Sequence, residues 1–162
     1  MNWRARPGKK IKSLLTMDRH GDTVVVFSKT LEFDTDGELD IVDLTGRVRE
    51  VVAESGIRDG MVLVFGVGAT CAVTAIEYEP GLIEDFPAAL ERLMPRDIEY
   101  AHHRKWDDGN GHSHVRASFL GPSMTIPVSD GAPILGTWQQ IIFVELDVHR
   151  RQRKVIVKLV GE

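Results

Sequence analysis

Four of the six histidines in this chain lie within thirteen residues, at His102, His103, His112 and His114. Neutral imidazole is a common ligand of Zn²⁺ and similar ions. If the segment is extended, His112 and His114 share one face, because side chains two apart in a strand point to the same side. The spacing therefore predicts a metal site made by these two residues and closed by His102 or His103. The alternative is a polar loop whose histidines bond to the backbone or face water, since no fixed motif such as H-E-x-x-H is present.

A second set of polar residues lies just before and within an apolar stretch near the C-terminus. Thr137, Trp138 and Gln139 come first, and Glu145 follows inside the apolar run 140–147. A carboxylate buried alone is costly, so Glu145 needs a partner or a functional role. In an extended chain Thr137, Gln139 and Glu145 face the same side. We therefore predict one polar pocket in which Glu145 and His114 lie within ~10 Å of each other, in one subunit or across an interface, as converging site groups do. Trp138 fits either this pocket or the core.

A structural explanation for Glu145 is equally open. The residues 138–148 and 154–160 are both strand-like and predict a long terminal hairpin around residues 149–152. Arg151 and Arg153 lie at that turn, so either can pair with Glu145 across the hairpin. Both explanations hold together if the arginine lies at the rim of the pocket.

The segment Gly66-Val67-Gly68 begins like a dinucleotide-binding fingerprint, but Cys71 stands where the third glycine would be. The residues that follow are β-branched and strand-like, so no helix N-terminus would face a phosphate. We expect these glycines to form a tight turn between two strands, and we expect no nucleotide cofactor.

Apolar periodicity and turn residues predict an α+β fold with mixed or antiparallel strands and two main helices. One helix falls within residues 41–55, with Thr45 as its cap and Gly56 at its end; the other runs from Pro80 to Pro95. The polar residues 96–112 are expected to form a loop. The predicted strands are 23–27, 29–33, 61–65, 70–77, 115–120, 123–128, 138–148 and 154–160.

Bulk composition limits the classes of function. With 162 residues and 43% hydrophobic residues, the chain is expected to form one domain, 1–162, in which residues 1–20 form an N-terminal arm or an extra strand. A net charge of −4 argues against a nucleic-acid surface. The single cysteine, the lack of a long apolar run and the lack of a signal-peptide pattern favour a cytoplasmic protein that is not in a membrane.

Several short segments together resemble the YjbQ family in order and spacing, from about Lys29 to the C-terminus. The most specific part of the set is Gly136-Thr137-Trp138-Gln139 followed by a glutamate in a strand. The matching segments are Glu77-Tyr78-Glu79-Pro80-Gly81-Leu82 with Asp85, Tyr100-Ala101-His102, Gly109-Asn110-Gly111-His112-Ser113-His114, Leu120-Gly121-Pro122-Ser123, Ile126-Pro127-Val128, Gly136-Thr137-Trp138-Gln139-Gln140, Glu145 and Arg153.

This resemblance implies a β-sandwich flanked by helices, assembled as a homotrimer with sites near subunit boundaries. The family is similar to secondary thiamine-phosphate synthases, transferases that join a pyrimidine methyl diphosphate to a thiazole phosphate and release pyrophosphate. The resemblance implies that the catalytic residues are His102, His114 and Glu145. It also implies that the substrate-binding residues are Asn110, Thr137, Trp138 and Gln139. A divalent metal, Zn²⁺ or Mg²⁺ with the diphosphate, would accompany the small phosphorylated substrate.

One departure from the family separates two hypotheses. Many members carry His-Thr-Thr or His-Thr-Ser where this chain has Gly68-Ala69-Thr70. If that histidine is a ligand or an acid–base group, the chain is a non-catalytic trimer that binds a metal or a phosphorylated ligand, or it recruits His112 or His103 instead. If not, it is a transferase.

Overall fold

Two antiparallel sheets carry the fold in the computed structural model, which describes residues 14–17 and 23–162. The described strands, in chain order, are β1 (Leu14–Met17), β2 (Thr23–Asp34), β3 (Ile41–Asp43), β4 (Gly60–Gly66), β5 (Cys71–Ile76), β6 (Ser123–Ser129), β7 (Ala132–Pro133), β8 (Gln140–Glu145) and β9 (Gln152–Gly161). Six of them form one sheet in the order β1-β2-β9-β4-β6-β7, and three form the other in the order β3-β8-β5. The described helices are α1 (Thr45–Ser55), α2 (Pro80–Leu93), α3 (Ala101–Trp106) and α4 (Gly111–Leu120). The predicted α+β class is confirmed.

Strand β8 lies at the centre of the three-stranded sheet and is covered on both faces. Ile141 and Phe143 pack in one apolar cluster with inward-facing side chains of the six-stranded sheet. Ile142 and Val144 point the other way and pack with Leu90 of α2 and Ala117 of α4. Because successive side chains of a strand alternate, this strand needs apolar residues at nearly every position. Glu145 continues the Ile141–Phe143 face, which is opposite to the face covered by α4.

The first two helices follow their local sequence signals closely. In α1, Val48, Val51 and Val52 are buried, and Gly56 ends the helix with a φ of 73°, a left-handed conformation that glycine adopts without strain. The start of α1 differs from the prediction. Leu44 rather than Thr45 is the N-cap residue and makes no side-chain cap bond, and Asp43 Oδ1 accepts the backbone N–H of Thr45 at 2.8 Å. Helix α2 begins at Pro80, as predicted, and Glu79 caps it.

Three predictions about local structure are wrong. Residues 115–120 belong to α4 rather than to a strand, and α3 lies inside the segment expected to be a loop. The terminal hairpin does not form either, because β8 pairs with β3 and β5 whereas β9 pairs with β2 and β4. The turn between β8 and β9 therefore carries the chain from one sheet to the other.

The structure describes only part of the segment 1–20, which was predicted to form an N-terminal arm or an extra strand. Residues 14–17 form β1, which pairs with β2, whereas residues 1–13 and 18–22 lie outside the described residues. None of the described helices has the length and apolarity needed to cross a membrane.

Candidate functional site

A groove of about 420 Å³ lies at the junction of α3 and α4. Its walls are mainly apolar, and their ionisable groups are two imidazoles and one phenol. The lining residues are Tyr100, Ala101, His102, Gly111, His114, Val115, Ser118 and Phe119. A concave, largely apolar surface with a few convergent polar groups is typical of a small-molecule site.

The two imidazoles of the groove face each other. The rings of His102 and His114 have centroids 4.6 Å apart and are tilted by 31°. His102 is held from α3 and His114 from α4, so the contact depends on how the two short helices meet. This arrangement can stack with or hydrogen-bond to a bound ligand, and it can accept or donate a proton.

His112 lies on the opposite side of α4 in a buried polar cluster. Its Nε2 is 2.8 Å from Glu38 Oε1, and Arg116 Nη1 donates to the same oxygen at 2.9 Å. Arg116 also donates to the carbonyl of Met94 at 3.0 and 2.8 Å and to Glu91. Burial lowers the pKa of His112, and the nearby Glu38 carboxylate only partly opposes this. The cluster fixes α4 against α2 and against the segment that precedes β3.

The predicted three-histidine site does not form within one chain. Consecutive helical residues are about 100° apart, so His112 and His114 diverge by about 200°. Their predicted common face required a strand. His103 accepts the backbone N–H of Gly111 at 3.0 Å. Over residues 14–17 and 23–162, no group of three or more His, Cys, Asp or Glu side chains is arranged to hold a metal ion.

Glu145 is fully buried in a second polar cluster, with Arg153 as its ion-pair partner. Arg153 Nε donates to Glu145 Oε2 at 2.6 Å, and Thr35 Oγ1 donates to the same oxygen at 2.8 Å. The backbone N–H of Asp147 donates to Oε1 at 2.8 Å. Burial lowers the pKa of Arg153, but the hydrogen bond to Glu145 and the negative charges around the guanidinium, including Glu145 and Asp147, together outweigh it, so the pKa is raised. The carboxylate is thus satisfied by its own chain.

The residues Gly68-Ala69-Thr70 border this second cluster. Thr70 Oγ1 donates to Asp147 at 3.1 Å and accepts from Arg153 at 3.0 Å. A Cβ atom at Gly68 would lie 2.8 Å from Arg153 Nη1. A histidine at this position would therefore require Arg153 to shift.

The C-terminal motif forms an exposed turn instead of an extended strand entry. The backbone N–H of Gln139 donates to the carbonyl of Gly136 at 3.0 Å, and Gln139 Oε1 accepts from Gly136 N at 3.1 Å. Thr137 and Gln139 are exposed, and the side chain of Trp138 is 70% exposed. The premise that Thr137 and Gln139 share one face of an extended chain is wrong.

The structure brings together only part of the predicted site. His102 and His114 line the groove, and Asn110 lies beside it at the start of α4. Within one chain, Glu145 belongs to the face of the three-stranded sheet opposite to α4, which carries His114. Neither Glu145 nor the 137–139 turn lines the groove.

Sequence reasoning missed two residues near the groove. Asp108 Oδ1 lies 3.2 Å from His102 Nδ1, and Phe119 forms an exposed part of the groove wall. Asp108 could have been found by its position between the two histidine pairs, where a carboxylate is a natural partner for imidazole.

The comparisons with known proteins identify the family. A family model described as UPF0047 protein YjbQ-like matches residues 29–162. The chain belongs to this family. The predicted resemblance is confirmed, including its start near Lys29.

Relatives of the YjbQ-like family match most of the chain. A UPF0047 protein from Methanothermobacter thermautotrophicus is 39% identical over 137 residues, covering 85% of this chain and 94% of the relative. UPF0047 protein YugU from Bacillus subtilis is 31% identical over 134 residues, covering 82% and 98%. The crystal structure of a YbjQ-like protein of unknown function from Sulfolobus solfataricus superposes with a TM-score of 0.82 at 34% identity, covering 86% of this chain and 99% of that one.

Proposed function

We propose that this YjbQ-family protein is a transferase of the thiamine-phosphate synthase type and that the groove between α3 and α4 is its site. The observation that supports the proposal is the pair of imidazoles of His102 and His114. Their ring centroids are 4.6 Å apart in a mainly apolar groove of about 420 Å³. That volume lies in the range of about 300–1,000 Å³ found for small-molecule pockets.

The proposed reaction joins two heteroaromatic rings. The thiazole ring nitrogen forms a bond to the methylene carbon of the pyrimidine, the carbon–oxygen bond to the diphosphate breaks, and pyrophosphate leaves with the electron pair. The apolar walls, which include Val115 and Phe119, suit the rings. His114 would donate a hydrogen bond to the oxygen on which charge develops, and His102 would accept a hydrogen bond from the bound ligand.

The proposal includes a divalent cation that binds together with the diphosphate group of the substrate. Mg²⁺ usually keeps several waters and binds through substrate phosphates with few protein ligands, so it needs no protein cage. A resident Zn²⁺ site fits less well within one chain, because His112 turns away to Glu38.

We also propose a homotrimer in which the groove lies near a subunit boundary and the two sheets pack as a β-sandwich. The shared apolar cluster of both sheets supports the sandwich. The exposed apolar side chains of the two short helices, Phe119 of α4 at 78% and Trp106 of α3 at 66%, support a contact with another copy. The exposed 137–139 turn of a neighbouring subunit could then complete the site. Light scattering at micromolar concentration should give three times the chain mass, and a monomer would contradict this part.

The direct test is synthesis of thiamine phosphate by the purified protein from the two precursors, read by product and pyrophosphate release. The wild type should form product, and His114→Ala and His102→Ala should each reduce the rate by roughly 100- to 10,000-fold, the usual contribution of a positioned acid or base. His149→Ala, an exposed histidine outside the groove, is the matched control. No product from the wild type, or equal rates for His114→Ala and wild type, would contradict the proposal.

A second candidate is a binding protein for a small phosphorylated ligand or a metal, without turnover. The observation that favours it is Glu145, whose oxygens are already occupied by Arg153, Thr35 and the backbone of Asp147. Calorimetric titration that shows binding of both precursors with no product would select this candidate over the transferase.

A further inference from the structure

We propose that Asp108 is a positioning residue for the candidate site and that its carboxylate fixes the ring orientation and tautomer of His102. The inference rests on the proposed function only in taking the groove as the site. Asp108 Oδ1 lies 3.2 Å from His102 Nδ1. This nitrogen is shielded from solvent and makes no hydrogen bond to any described residue, the contact with Asp108 included. The pair is not ideally aligned, as is common for catalytic contacts before a ligand binds.

Asn110 holds Asp108 in place from the other side. With its amide nitrogen turned toward Asp108, that nitrogen lies 3.0 and 3.2 Å from the two carboxylate oxygens. Asn110 is buried and is the N-cap residue of α4. Asp107 and Gly109 have positive φ values of 53° and 65°, and these left-handed residues bend the chain between α3 and α4. The loop therefore presents one carboxylate to α3 from the base of α4.

The chemical consequence concerns which nitrogen of His102 carries the proton. A carboxylate beside Nδ1 favours the tautomer with the proton on Nδ1 and leaves Nε2 as the free acceptor. The His102 side chain is 30% exposed although Nδ1 is shielded, so its accessible atoms lie on the rest of the ring. Neighbouring side chains thus lead from the start of α4 into the groove, in the order Asn110, Asp108, His102 and His114. In this order a buried amide orients a carboxylate, and the carboxylate orients the imidazole that meets the ligand.

A purely structural role for Asp108 predicts a different outcome. Its side chain is 40% exposed, and ion pairs that are open to solvent contribute little to stability. Removing the carboxylate should therefore leave the melting temperature within about 2 °C of wild type. An effect on His102 at unchanged stability would separate positioning from folding.

The test compares the full-length wild type with Asp108→Ala by long-range ¹H–¹⁵N NMR at a pH where imidazoles are neutral. His102 should be mainly the Nδ1–H tautomer in the wild type and should shift toward the Nε2–H tautomer, which free imidazole side chains favour, in Asp108→Ala. Asp107→Asn is the matched control, because it removes a neighbouring charge at a left-handed position that Asn also tolerates. The control should keep the wild-type tautomer.

Kinetic measurements on Asp108→Ala can support the positioning role of Asp108, but the tautomer of His102 decides it. In Asp108→Ala the kcat for thiamine phosphate formation should fall about 10- to 100-fold, as for other groups that orient a functional histidine, with little change in KM. An unchanged His102 tautomer in Asp108→Ala overturns the inference whatever the activity. If the wild type forms no product, the proposed function fails while the tautomer comparison still decides the role of Asp108.

Discussion

Replacement of Arg153 by Met tests whether Glu145 is held as a structural carboxylate. In the structure Arg153 donates to both oxygens of Glu145 and to the carbonyl and hydroxyl of Thr70. Both charged side chains are almost fully buried, at 9% and 0% exposure. In Arg153→Met the carboxylate keeps only the bonds from Thr35 and the backbone of Asp147. A buried charge would then remain without its counter-charge.

The expected cost is large relative to the stability of a domain. Removing one partner of a buried ion pair costs about 3–5 kcal/mol, because the other charge stays buried. Domains unfold with only about 5–15 kcal/mol. For a chain of this size 1 kcal/mol shifts the melting temperature by about 2–4 °C, so the melting temperature should fall by about 6–20 °C.

Urea unfolding followed by circular dichroism measures this cost, with two reference variants. Arg151→Met removes a partly exposed partner of Asp147 and should cost about 0–1 kcal/mol. The double variant Glu145→Gln with Arg153→Met removes both charges and should recover part of the loss. If Arg153→Met costs no more than Arg151→Met, Glu145 is not held by this pair, and its role as a site carboxylate becomes the better explanation.

Three further predictions concern the sulfur, the buried imidazole and metal. Burial raises the pKa of Cys71 to about 11, so a thiol reagent at pH 8 should label no cysteine in the native protein and one per chain in denaturant; fast native labelling would contradict the buried placement. Because burial lowers the pKa of His112 below 6.5, the unfolded chain takes up this proton first, and stability should fall as the pH drops below about 6.5. His112→Gln should weaken that pH dependence, whereas His149→Gln, at an exposed position, should preserve it; equal slopes in all three proteins would refute the argument. Any Zn²⁺ retained after purification should be lost in His114→Ala and kept in His112→Gln, as elemental analysis can show. Loss of Zn²⁺ in both variants would restore the sequence-based ligand set.

Local signals in the sequence were sufficient for α1 and α2. Val48, Val51 and Val52 recur at helical spacing, and Gly56 provides the left-handed residue that ends α1. Pro80 starts α2 because its fixed φ suits the first helical turn. Such features depend on neighbours within one or two turns, so they can be identified without knowledge of the fold.

Helix α4 was predicted incorrectly because its buried face is polar. Val115, Ala117 and Phe119 alternate with Arg116 and Ser118, which imitates the two-residue period of a strand. In the structure Arg116 is fully buried whereas Phe119 is 78% exposed. Hydrophobic periodicity cannot reveal a helix whose inward residues are satisfied by hydrogen bonds to distant parts of the chain.

Long-range pairing was the other limit of sequence reasoning. The ion pair between Glu145 and Arg153 was one of the open alternatives and is present, but the expected hairpin is not. The two residues meet because β8 and β9 face each other from different sheets. Resemblance to the family predicted His102, His114 and Asn110, which lie at or beside the groove, but it also predicted Glu145 and the 137–139 turn, which do not line it. The contact between His102 and Asp108 requires coordinates.

The residues 35–40 connect the two polar clusters and limit how mutations at either one can be interpreted. Thr35 donates to Glu145 on one face of the three-stranded sheet, and Glu38 accepts from Arg116 and contacts His112 on the other. Between them, the backbone N–H of Leu39 donates to the carbonyl of Glu145 at 2.7 Å. A substitution at Glu38 therefore disturbs α4 directly and the Glu145 cluster through a rigid backbone connection. Loss of activity in a Glu38 variant would follow from displacement of His114 on α4 and would not identify Glu38 as a catalytic residue, whereas the exposed Asp108 can be changed without disturbing either cluster.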